Sequence, residues 1–153
     1  MNLKKTALLA EIIGGAGIIV SILYLALEVS ENTKNTQISN HLALIEQNSE
    51  FRYLRMASPD LVEIALQGSS NARNLSAVDQ RRFRAYALQS FDMWETAFLM
   101  NDSDVLPAGT WKVWDSSWCN TLNTPGFRAL WDEGMSESFT VHFRSNVDAC
   151  FAN

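Results

Sequence analysis

The chain has 153 residues, enough for one domain, and its net charge is −5. Only 19 % of its residues are charged, below the roughly 25 % usual in a soluble globule, so part of the chain is expected to sit in lipid. The acidic balance argues against nucleic acid as a partner, because phosphate binding needs clustered Lys and Arg.

The first element is the apolar run from Ala7 to Leu27, uncharged from Ile12 onward. Twenty-one helical residues rise about 31 Å, which matches a hydrocarbon core of roughly 30 Å. Glu11 sits one turn inside, where a carboxylate reaches the interface, and Tyr24 lies toward the other end as an aromatic anchor. A cleaved signal peptide is the rival reading. The run is too long for a usual signal core, and no small-x-small cleavage site follows it. Membrane lipid is therefore an expected partner. Within the run, Ala10/Gly14 and Gly17/Ser21 form two small-xxx-small pairs, which let helix backbones approach in lipid. Ala10, Glu11, Gly14, Gly17 and Ser21 are the candidate contact residues, with self or another membrane protein as the occupant. Lys4 and Lys5 on one side against Lys34 on the other lean toward an inner N-terminus and an outer domain.

Beyond the run, helical periodicity recurs and no strand alternation persists. The expected fold is all-α: a transmembrane anchor over 1–28, a helical stalk over 29–57 that continues it, and a helical bundle over 58–153. In the stalk Ile38, Leu42 and Ile45 recur at helical spacing, and His41 reads as exposed. Ser58-Pro59-Asp60 restarts a helix that is expected to stop at Gly68, followed by a polar loop over 69–75. Ser76 to Asp79 resembles a capping box opening a helix over 77–100 with a stripe at Ala87, Phe91, Trp94 and Phe98. Asn101 to Asp104 ends it, and Pro107 is expected to open the next helix, with Trp111, Trp114, Trp118 and Leu122 on one face. Thr124-Pro125 starts a further helix through Phe127, Leu130 and Trp131. A last helix over 137–151 stacks Phe139, Phe143, Val147 and Cys150.

The segment from Glu11 through Leu27 with Asn32-Thr33-Lys34, the Trp111 to Trp118 stretch, and Pro125 to Trp131 with Glu137-Ser138-Phe139 resemble a widespread family of uncharacterised bacterial single-pass membrane proteins. The resemblance covers most of the chain. It implies this architecture in a bacterial inner membrane and carries no activity with it.

Two cysteines, Cys119 and Cys150, are too few for a disulfide framework and lack metal-ligand spacing. They read as small core residues, and a single bridge stays open if the domain faces an oxidising compartment. Trp94, Trp111, Trp114, Trp118, Trp131 and His142 are the candidates for a pocket or interface. The helical spacing of the tryptophans also reads as core. Asp92 and Glu95 share a face and would need His142 to make a metal site, but no paired histidine motif accompanies them. Arg81, Arg82 and Arg84 read as a solvated face. No nucleophile elbow, P-loop or dinucleotide fingerprint occurs, and no cofactor is expected. These readings favour a membrane-anchored protein that acts by contact rather than chemistry. The alternatives are a tethered small-ligand sensor or enzyme with a Trp-rich pocket, and an accessory subunit of a larger membrane complex.

Overall fold

In the computed structural model Leu3–Ala57 form one unbroken helix, α1, of 55 residues and about 82 Å. The structure describes residues 3–152, with side chains at Leu9 and from Glu11 onward; those of Lys4, Lys5, Ala7 and Ala10 lie outside the described residues. Neither proline nor glycine interrupts the polar patch between the apolar run and the stalk. There the Thr33 and Thr36 hydroxyls donate back to the carbonyls of Val29 and Asn32, each at 2.9 Å. Helix α1 ends where Pro59 disfavours a helical Ser58. Its apolar part is long enough to cross a membrane and is uncovered wherever its side chains are described.

Five shorter helices form the domain: α2 (Pro59–Asn71), α3 (Ala77–Asp102), α4 (Thr110–Leu122), α5 (Pro125–Asp132) and α6 (Val141–Phe151), with 3-10 turns at Ala72–Asn74 and Met135–Ser138. Helix α3 is the axis. Its stripe of Phe83, Ala87, Phe91 and Trp94 is fully buried, and an aromatic layer closes around it. Phe91 packs on Trp131 with centroids 4.8 Å apart, and Trp94 meets Phe143 edge-on at 5.5 Å. Buried indole N–H groups need acceptors. Trp94 Nε1 donates to Asp115 at 3.0 Å, and Trp131 Nε1 donates to Asp148 at 2.9 Å. Asp115 also accepts from Asn146 at 2.9 Å, so one carboxylate ties α3, α4 and α6 together. Cys119 and Cys150 form a disulfide joining α4 to α6, with Cα atoms 5.8 Å apart, so the bridge, not the pair of free thiols, is the outcome.

Several boundaries differ from the sequence expectation, each for a packing reason. Helix α2 runs through Gly68 to Asn71, because Gly68 is a crossing point rather than a stop. A Cβ at Gly126 would lie 1.8 Å from the Gly68 carbonyl oxygen, and one at Gly68 would lie 2.4 Å from Phe83 Cδ2. The backbones of α2 and α5 therefore touch only because both positions lack a side chain. Much of the expected polar loop is accordingly helix end and 3-10 turn. Helix α4 begins at Thr110, not at Pro107: Gly109 takes a left-handed φ of 80°, while Leu106 is buried with Leu44 and Ala97. The last helix is split. Phe139 is extended, and Thr140 caps α6 with its side chain accepting from the Phe143 N–H.

Helix α1 docks on the domain by an unexpected face. Leu44 is buried, and Gln37, Asn40, His41, Asn48, Phe51 and Arg55 are half-buried. Gln37 Nε2 donates to the Asp104 carbonyl at 2.9 Å and Asn40 Nδ2 to that of Val105 at 3.1 Å, so two amides hold the loop between α3 and α4. His41 is not on the open side; its ring lies edge-on to Trp114 at 6.4 Å. The stripe that the sequence marks, Ile38, Leu42 and Ile45, faces away from the domain and is 46 %, 58 % and 39 % exposed.

Candidate functional site

A groove lies between the last three turns of α1 and the outer face of α4. It encloses about 280 Å³, room for about nine waters at their liquid volume. Asn48, Phe51, Arg52 and Arg55 form one wall; Val113, Trp114, Ser117, Trp118 and Thr121 form the other. The spacing of each set is helical, so each wall is one face of a helix.

Its floor is apolar and its rim cationic. Phe51 stacks on Tyr86 with centroids 5.5 Å apart. Arg55 Nη1 donates to the Tyr86 hydroxyl at 2.7 Å, and the guanidinium lies 6.0 Å from that ring's centre. Arg55 is thereby fixed, and as a cation in the last turn it also suits the α1 C-terminus. Arg52 has neither reason to be there: no ion pair or hydrogen bond engages it among the described residues. Its helical neighbours at three and four residues are Asn48, Ser49, Arg55 and Met56. Two like charges at i, i+3 with no acid three or four residues from either repel by roughly a few tenths of a kcal/mol. No carboxylate lines the groove, although the chain as a whole is acidic.

The tryptophans that the sequence singles out divide into three environments. Trp94 and Trp131 are core residues. Trp111 packs its ring edge-on against Phe98 at 5.5 Å. Trp114 and Trp118 alone reach the groove. The suggested convergence of Asp92, Glu95 and His142 does not form. Glu95 Oε1 accepts from the Thr140 N–H and hydroxyl, each at 2.8 Å, and so holds the start of α6. His142 lies exposed on Phe98, 4.0 Å from Asp102. Burial raises the Asp92 carboxyl above its ordinary value, with the Glu95 charge adding to it. Among the described residues no group of three His, Cys, Asp or Glu side chains is placed to hold a metal. In the arginine cluster, Arg82 bonds Asp60 at 2.6 Å, which holds the Asp60 carboxyl below its ordinary value.

The contact residues suggested for the apolar run stay open. Among the described residues nothing beyond the helix's own backbone comes within 4 Å of a Cβ built at Gly14 or Gly17, Glu11 is exposed, and Ser21 donates to the Gly17 carbonyl at 2.9 Å.

Arg52 and Arg55 carry no signal in apolar periodicity. The cue that would have found them is the absence of any acid three or four residues from either. Comparison with known protein families, curated proteins and solved structures gives no match to this chain.

Proposed function

We propose that the protein is a single-pass membrane protein of a bacterial inner membrane. In this reading α1 presents the helical domain on the oxidising outer side, and the protein acts by contact between copies along α1. The observation that carries the contact is the bare stripe Ile38, Leu42 and Ile45. Apolar side chains in a row on a stalk in water favour a cover, and the domain, which docks elsewhere, does not supply it.

A second copy suits the stripe because its register continues into the apolar run. Stepping back from Ile38 by alternating threes and fours reaches Asn35, Glu31, Glu28, Tyr24, Ser21, Gly17 and Gly14. This is the heptad spacing of a two-stranded seam, and it brings small residues to the interface within lipid, where close backbone approach favours pairing. Asn35 at a seam position favours a defined register, while Glu28 and Glu31 oppose their own copies and weaken it. Orientation is supported by the Cys119–Cys150 bridge, since such bonds persist in oxidising compartments, and by the lysines flanking the run. The resemblance to uncharacterised bacterial single-pass proteins agrees with this architecture and adds no activity.

Disulfide trapping in native membranes tests the contact. Leu42→Cys is expected to give a crosslinked dimer on non-reducing gels, and Ala43→Cys, about 100° round α1 from Leu42 and off the stripe, is not. Glu28→Gln with Glu31→Gln is expected to increase the Leu42→Cys yield. Equal trapping at both positions, or none at Leu42, would refute contact between copies.

A further inference from the structure

We propose that the groove between α1 and α4 is a binding site for a small aromatic carboxylate free in solution, with Arg52 and Arg55 taking the carboxylate and Trp114 and Trp118 the ring. The proposal goes beyond contact between copies and stands without it.

The charge is the first reason. A guanidinium presents planar paired donors that match a carboxylate. Arg52 offers all of its donors, because it has no partner. Arg55 is oriented by Tyr86, so one end of the site is already built. An anion between them replaces repulsion across i, i+3 with attraction on both sides. Dipole stabilisation of the α1 terminus accounts for Arg55, but it gives no reason for a second, unpaired cation one turn earlier and on the groove side.

The surface is the second reason. Phe51, Trp114, Trp118 and Val113 supply the apolar area that small-ligand sites bury, and flat indole faces suit a ring. The Ser117 hydroxyl is unengaged, and Thr121 already donates to the Ser117 carbonyl at 2.8 Å, which leaves its oxygen as an acceptor. The volume of about 280 Å³ admits one or two fused rings.

Position separates a solute from a lipid headgroup of the same anionic chemistry. Arg52 lies twenty-five residues beyond Leu27 on one continuous helix, about 37 Å along its axis. That distance carries the groove away from the end of the apolar run.

The test is calorimetric titration of 1-naphthoate into the full chain in zwitterionic lipid nanodiscs, with empty nanodiscs as reference and 1-naphthamide as the uncharged isostere. Naphthoate is expected to bind, and the amide at least tenfold more weakly. Arg52→Gln is expected to lower naphthoate affinity at least tenfold with an unchanged thermal melt, since that side chain holds nothing else. Short-chain phosphatidylglycerol is expected not to displace naphthoate. No binding of naphthoate, equal binding of the amide, or unchanged affinity in Arg52→Gln would overturn the site. Displacement by phosphatidylglycerol would overturn its assignment to a solute.

Discussion

Replacing both bridge cysteines, Cys119→Ala with Cys150→Ala, has a magnitude that follows from the fold. The bond closes a loop across 31 positions, from α4 through α5 to α6. Chain-entropy reasoning gives about 3.7 kcal/mol for a loop of that length, within the usual range of roughly 2–5 kcal/mol for a native bridge in a small domain. The loop includes Phe127, Trp131 and Phe143, so loosening it frees a third of the chain that builds the aromatic layer. All five tryptophans lie within residues 94–131, so their fluorescence during urea unfolding follows the domain, with Trp114 also sensing the docked part of α1. The double variant is expected to lose about 3–4 kcal/mol, read as a lower urea midpoint at unchanged slope. Alanine is chosen because a serine at half-buried Cys119 or buried Cys150 would add an unpaired hydroxyl. A loss under about 1 kcal/mol would refute the loop argument. Free thiols in membranes alkylated before lysis would refute the bridge itself.

Two further predictions address the packing and the charges. Gly126→Ala places a methyl against the Gly68 carbonyl oxygen, where neither backbone yields cheaply; the domain is expected to lose about 3 kcal/mol in the same urea assay, the upper end for overpacking. Asp92 binds its proton more readily folded than unfolded, so its contribution to stability falls as pH rises from the unfolded carboxylate value through the raised folded one. Asp92→Asn is expected to raise stability at neutral pH slightly, by less than about 1 kcal/mol at this exposed site, read as a slightly higher melting point, and to lose that advantage in acid. An unchanged pH profile would contradict the assignment.

Much of the domain was legible because local and global signals agree there. Ser76 caps α3, its hydroxyl accepting from Asp79 N at 3.2 Å, and Pro59 and Pro125 each open a helix. The α3 stripe at Ala87, Phe91, Trp94 and Phe98 is buried as its period demands. The docked face of α1 was missed because periodicity reports which face is apolar, not which face is covered. In α1 the apolar face is left bare, and the docked face is held by Gln37 and Asn40 reaching backbone carbonyls. Gly68 has the same ambiguity, since a glycine that ends a helix and one that admits a neighbour look alike in sequence. The bridge could not be read from two cysteines, because pairing depends on α4 and α6 meeting. The groove was half legible. Trp114 and Trp118 stood out, but the opposite wall comes from a helix more than fifty residues earlier in the chain.

The central claim is that α1 crosses a membrane once and leaves the domain on the oxidising side. It is tested by carbonate washing of membranes that carry the chain fused at its C-terminus to either alkaline phosphatase or green fluorescent protein in a bacterial host. The account predicts that the fusions stay in the washed membrane, with active phosphatase and a dark fluorescent protein. Release by carbonate, or bright fluorescence with inactive phosphatase, would contradict it.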